Sequence, residues 1–209
     1  AETWYTNAYL PGRAAERFKA SRIVALSTGN VYPFTPAGSG GPVETAPPAP
    51  VGEYAMSCLG RERIFARFAA KHGTPLALIR LNYAVEMRYG VLVDIGRKVL
   101  AGEPVDVTMS AVNVIWQGYA NEVILRSLAH ATPEPFVLNL AGPETLSVRQ
   151  LASAFGTQFG VEPKITGEEA PAALLSNSAR CMRLFGYPDV APAELIEWTA
   201  GWLKAGLPL

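Results

Sequence analysis

With 209 residues, 49% of them hydrophobic and 17% charged, the chain can bury a sizeable core, as one large or two small domains. Eighteen basic and eighteen acidic residues cancel and form no Lys/Arg cluster, which argues against nucleic acid or an anionic membrane as a partner. No apolar run approaches the roughly 20 residues of a membrane span, and the first residues lack a signal-peptide pattern. Cys58 and Cys181 form neither a disulfide framework nor a metal motif, so a cytoplasmic protein with free thiols is expected.

In chain order, the pattern predicts a helix over 4–20, despite Pro11-Gly12, and then a strand over 23–28. The strand is the apolar run Ile23-Val24-Ala25-Leu26, which stops at Ser27-Thr28-Gly29-Asn30-Val31-Tyr32. The segment 33–50, rich in proline and glycine, is expected to be irregular and ordered by what it covers. A helix follows over 53–72, closed by Gly73, then a strand over 76–81 and a helix over 91–101. Short strands are expected near 105–107 and 113–116, with a helix over 117–131 after them. The remaining elements are a strand over 136–140, a turn at Gly142-Pro143, a helix over 147–159 with Ser147 as N-cap, a strand near 164–166, and helices over 174–185 and 193–204.

Alternation this regular argues for parallel βαβ units. A buried strand ending in hydroxyl residues, followed by a helix that begins with tyrosine, would place a hydroxyl pair at the C-terminal edge of such a sheet. Open sheets bind ligands at that edge. The fold class is therefore α/β: an incomplete Rossmann-type parallel sheet with a smaller C-terminal α/β substrate lobe. Residues 1–85 and 112–140 would form the sheet domain, and 86–111 with 141–209 mainly the lobe.

The order and spacing of Ser27-Thr28-Gly29-Asn30-Val31-Tyr32, Tyr54, Leu78-Ile79-Arg80-Leu81-Asn82, Val99-Leu100-Ala101-Gly102-Glu103-Pro104 and Leu138-Asn139-Leu140-Ala141-Gly142-Pro143-Glu144 resemble the extended short-chain dehydrogenase/reductase family, also called the NAD-dependent epimerase/dehydratase family. The resemblance runs from Thr6-Asn7 to the C-terminus. The family's glycine-rich turn between a first strand and helix, which cradles the cofactor's pyrophosphate, has no counterpart here.

The resemblance implies NAD or NADP as cofactor and a small sugar-like substrate, with Thr28 and Tyr54 as the catalytic pair. Both would hydrogen-bond the substrate oxygen, and the phenol would shuttle its proton. Ser27, Cys58, Asn82 and Tyr83 fall on the cofactor side, Asn30 and Arg88 on the substrate side. An unperturbed phenol has a pKa of about 10, too high for a good base near neutrality without a nearby cation. The family supplies a lysine four residues after the tyrosine, where this chain has Cys58.

Tyr54, Cys58 and Arg61 share one helical stripe, so Arg61 has two readings. It replaces the lysine's charge in part, or it bonds an acid or water at the edge of the stripe. Residues without partners get plainer assignments: Tyr32, Trp116, Trp198 and Trp202 as core, and His72 and His130 as helix-terminal cations.

Gly29-Asn30 replace the Asp-Glu pair of the family's dehydratases, which argues against elimination. The segment Ala111-Val112-Asn113-Val114-Ile115 has no arginine where nucleotide-sugar enzymes grip the pyrophosphate. Three readings stay open: an NAD(P)-linked oxidoreductase or epimerase, a non-catalytic binding or regulatory descendant that kept the cleft, and a truncated piece of a longer enzyme. Helices 4–20 and 53–72 match those that form the family's dimer bundle.

Overall fold

Strands β1 (Ile23–Thr28), β2 (Leu76–Leu81) and β3 (Phe136–Leu140) form a parallel sheet in the order β1-β2-β3. The computed structural model describes residues 1–209. Ile23 stands opposite Leu76 and Thr28 opposite Leu81, while Leu81 in turn stands opposite Leu140. Leu76, Ala77, Leu78 and Ile79 are all buried, as a strand covered on both faces requires. The three strands end level, and Thr28 lies at their common C-terminal edge. Ile23 donates its N–H to Pro75, so by alternation Val24, Leu26 and Thr28 turn their backbone groups to the free edge of the sheet.

The helices are α1 (2–17), α2 (Gly52–His72), α3 (Val91–Leu100), α4 (Gln117–Arg126), α5 (Val148–Phe159), α6 (Ala179–Phe185) and α7 (Pro192–Lys204). Helix α2 carries Lys71 and His72 in its last turn, where cations suit the dipole, and ends on Gly73 in the left-handed region, φ 67°. The N-cap of α5 is Ser147, whose hydroxyl accepts the Gln150 N–H at 3.3 Å. In α1 the turn Tyr5–Tyr9 is a π-helix, a form that concentrates at functional sites.

Four expected elements differ. Helix α1 stops at Arg17, because Phe18 leaves the helical region and the Lys19 carbonyl accepts the Thr74 hydroxyl. The helix expected over 117–131 ends as a 3-10 turn, Ser127–His130. The helix expected over 174–185 begins only at Ala179. Before it, Ala172–Ala173 pairs with Thr35–Pro36, the Ser176 N–H is taken by Asn113 Oδ1 at 2.9 Å, and Asn177 Oδ1 accepts the Ala179 N–H at 3.0 Å. Serine and asparagine here satisfy the backbone by other routes than a helix. The strand expected over 113–116 is two short pairings: Ala111–Val112 with Leu146–Ser147, and Ile115–Trp116 with Ala84–Val85. Trp198 is 42% exposed and meets Trp116 edge-on, so it is not the core residue expected.

On one face of the sheet, Ala77, Ile79, Leu138 and Leu140 pack against Tyr119 and Val123 of α4 and against Cys181, Met182 and Phe185 of α6. On the other, Ala25, Leu76 and Leu78 pack against Ala15, Phe65 and Ala69. A separate core joins Leu92, Ile95 and Val99 of α3 to Leu151 and Phe155 of α5 and Leu195 of α7. Helix α6 thus sits on the sheet, although most of 141–209 builds this second core. No helix is long and apolar enough to cross a membrane.

The irregular segment 33–50 is held by a buried polar network. Arg80 clamps Glu62 with two bonds, 2.9 and 2.8 Å, and donates to the Tyr32 hydroxyl at 2.6 Å. Tyr32 donates in turn to Asn139 Oδ1 at 2.8 Å, and Asn139 Nδ2 to the Pro42 carbonyl at 2.9 Å. Burial opposes charge on Arg80, but the Glu62 carboxylate more than offsets it and holds the guanidinium pKa above its ordinary value.

Candidate active site

At the end of β1 the Thr28 backbone is extended and its hydroxyl caps the single 3-10 turn Gly29–Val31, accepting the Asn30 N–H at 3.2 Å. The same hydroxyl donates to Asn30 Oδ1 at 3.0 Å. Gly52, at φ 85°, turns the chain so that Tyr54 lies in the first turn of α2. There the phenol lies near enough to the Thr28 hydroxyl and the Cys58 thiol for both to influence its proton. The structure thus brings Thr28, Asn30, Tyr54 and Cys58 together. Tyr54 is 53% exposed, whereas Cys58 is fully buried in a small cluster with Val31 and Tyr32.

The electrostatics of this group run opposite to those of a tyrosine beside a lysine. Burial raises the Tyr54 pKa above its ordinary value, and Cys58 raises it further through charge and hydrogen bonding; Thr28 and the Arg61 charge pull it down without prevailing. The phenol is therefore held protonated at neutral pH. Arg61 is neither free nor acid-bound. It donates to the Leu26 carbonyl at 2.6 Å, to Asn7 Oδ1 and backbone oxygen, and to Cys58 Sγ at 3.4 Å. It is a fixed cation one side chain removed from the phenol.

Ser27 and Asn82 lie beside this group. Their Oγ and Nδ2 atoms are buried without a hydrogen-bond partner, as is Ser176 Oγ. Gly29 joins them: a Cβ there would stand 2.7 Å from Ser176 Oγ and 2.8 Å from Asn82 Cγ and Oδ1, so a side chain at this position would have to displace both. Tyr83 diverges from Asn82. It is the single non-glycine residue at positive φ, 47°, and its ring turns into a different cavity, walled by α3. Arg88 is apart from all of these, its side chain 64% exposed and paired with Glu86 at 2.9 Å. No group of three His, Cys, Asp or Glu side chains is placed to hold a metal.

Two contributors had no sequence signal. Asn7 sits in the π-turn of α1, holding Arg61 and donating from Nδ2 to Ser57 Oγ at 3.0 Å. Ser176 arrives from a segment expected to be helical. Neither position is legible without knowing which elements cross at the end of the sheet.

No family model matches the sequence, and no curated protein matches it. Solved structures do match in fold. MoeE5 in complex with UDP-glucose and NAD superposes with a TM-score of 0.80 at 18% identity, over 96% of this chain and 71% of that one. The Thermus thermophilus UDP-glucose 4-epimerase complexed with NAD gives 0.77 at 21% identity, over 94% and 68%. The UDP-glucuronic acid 4-epimerase of Bacillus cereus in complex with UDP-glucuronic acid and NAD gives 0.81 at 16% identity, over 95% and 67%. At these identities what is shared is the α/β fold, over somewhat more than two thirds of the length of these proteins.

Proposed function

We propose that this chain carries the reacting end of an NAD(P)-linked oxidoreductase or epimerase that interconverts a hydroxyl and a carbonyl on a sugar-like substrate. The observation that carries the reading is the placement of Thr28 at the C-terminal edge of the parallel sheet, with Tyr54 in the first turn of the helix that packs beside it. That NAD occupies structures of the same fold supports it. The residues present fit the reactive end of such a cofactor: Ser27 and Asn82 offer buried, unpartnered polar atoms at the ends of neighbouring strands and would hold it there. These 209 residues contain no glycine-rich cradle for its phosphates. A nicotinamide cofactor, when bound, supplies or accepts the hydride.

The protein's share of the chemistry is at the substrate oxygen. Thr28, whose one hydroxyl hydrogen goes to Asn30 Oδ1, has a lone pair left to accept from a substrate hydroxyl, and Tyr54 gives the substrate oxygen a proton as a carbonyl becomes an alcohol. The exposed side of the phenol then takes a proton back from water. A raised pKa keeps the phenol in its acid form but makes it a weaker acid, so at neutral pH both giving and taking the proton are slower than for a tyrosine beside a cation. The same observation favours one second reading, a descendant that binds ligand without turnover, since Cys58 removes the cation a tyrosine base needs.

NADH fluorescence titrated against the chain, and NADH consumption with keto-sugars, test the first reading. Turnover is expected to fall by roughly 10²–10⁴-fold in Tyr54→Phe with NADH binding kept. No fluorescence response at millimolar NADH, or an undiminished Tyr54→Phe, overturns it. Turnover that emerges only in Cys58→Lys selects the second reading.

A further inference from the structure

The cavity into which Tyr83 turns is not explained by the chemistry at Thr28 and Tyr54. It encloses about 260 Å³ and its walls are mainly Tyr83, Val91, Ile95, Met109, Val112 and Val148. Helical spacing accounts for one wall: Val91, Asp94, Ile95 and Lys98 recur at i, i+3, i+4 and i+7 along α3 and so share a face. It adjoins the site through consecutive residues, since Asn82 packs against Gly29 and Tyr83 follows it with a backbone at φ 47°. A bulky residue held in that region is strained, and such strain persists where surrounding structure enforces it, commonly at ligand sites. Burial also raises the pKa of the Tyr83 phenol, so it presents a neutral hydroxyl.

The charges at this cavity decide what it accepts. Its ionisable lining groups are Asp94, Lys98 and Asp106, one more negative than positive. Asp106 is kept ionised by the Thr108 hydroxyl and N–H, which lower its pKa. Arg88 is already paired with Glu86 and Arg149, which follows the lining Val148, with Glu169; Arg97 lies beside Lys98 in the neighbouring surface pocket and is not among the lining residues. A diphosphate would meet two carboxylates here and a single lysine, with no arginine fork to grip it.

We propose that this cavity binds an uncharged, apolar or aromatic substituent of the substrate, so that the chain acts on neutral hydroxy or keto compounds rather than on nucleoside-diphosphate sugars. The proposal rests on the functional reading above for the reacting carbon, but its binding test needs no cofactor. Apolar walls would bury the substituent, and the acidic rim would repel a polyanion.

Phenyl β-glucoside and UDP-glucose, titrated separately into the full chain by calorimetry, distinguish the classes. The phenyl glucoside is expected to bind at least tenfold more tightly. Val91→Trp, which fills the mouth, is expected to weaken it at least tenfold. Asp94→Arg, at an exposed position, is expected to strengthen UDP-glucose and narrow the gap. UDP-glucose binding more tightly to the unaltered chain, neither probe binding, or both variants behaving like wild type while keeping its far-UV spectrum, would each overturn the proposal. Phenyl glucoside binding without any NADH response would sink the oxidoreductase reading and leave the cavity assignment standing.

Discussion

Arg80→Met should be among the most damaging single changes in the chain. Both partners of the Arg80–Glu62 pair have side chains only 6% exposed, so removing the guanidinium leaves a carboxylate in the interior with no cation. It also strips the Tyr32 hydroxyl of its donor and removes a cation stacked 4.9 Å from the Tyr32 ring. Breaking a buried pair in this way costs roughly 3–5 kcal/mol, a large part of the about 5–15 kcal/mol that keeps a domain folded. With a urea dependence of about 1–3 kcal/mol per molar, the midpoint should fall by at least about 1 M, read by circular dichroism. Replacing both partners, Arg80→Met with Glu62→Met, removes the orphaned charge and should recover much of the loss. A single variant within about 1 kcal/mol of wild type, or a double variant no better than the single, would refute the reasoning. Because Tyr32 and Asn139 continue the network to the Pro42 carbonyl, the single variant should also open 33–50 to limited proteolysis.

Cys58→Lys places a cation one helical turn from the Tyr54 phenol, where it favours the phenolate. The alkaline rise of alcohol oxidation, above the ordinary phenol range in wild type because burial and Cys58 raise the Tyr54 pKa, should move to lower pH in a profile of turnover; an unmoved limb contradicts this. Gly142→Ala puts a Cβ 1.9 Å from the Val114 carbonyl oxygen, an overpacking that costs at least about 1–3 kcal/mol. An unchanged urea midpoint would show that the backbone there has room to give.

The sheet was legible because each strand is an apolar run with a defined stop. Ile23 to Leu26 ends on Ser27 and Thr28, Leu76 to Ile79 on Arg80, and the register then places those stops side by side. Thr28 and Tyr54 were legible for the same reason, being the last residue of a strand and the first turn of the next long helix. What sequence did not disclose depends on long-range polar pairing. The segment 174–178 has helix-compatible residues, but Asn113 claims the Ser176 N–H from 63 positions away. The π-turn around Asn7 follows no periodicity, and Arg61 reaches it across 54 positions.

Arg61 also ties the outer edge of β1 to the surroundings of Tyr54. By the alternation of β1, the Leu26 carbonyl points to the free edge of the sheet, and the guanidinium takes it at 2.6 Å while another of its nitrogens meets the Cys58 sulfur at 3.4 Å. Satisfying an edge carbonyl and a π-turn fixes the cation near the phenol but commits its donors elsewhere, so its field reaches Tyr54 and its protons do not. The surroundings therefore keep Tyr54 in its acid form: burial raises its pKa, Cys58 raises it further, and the one nearby cation is spent on holding the sheet edge.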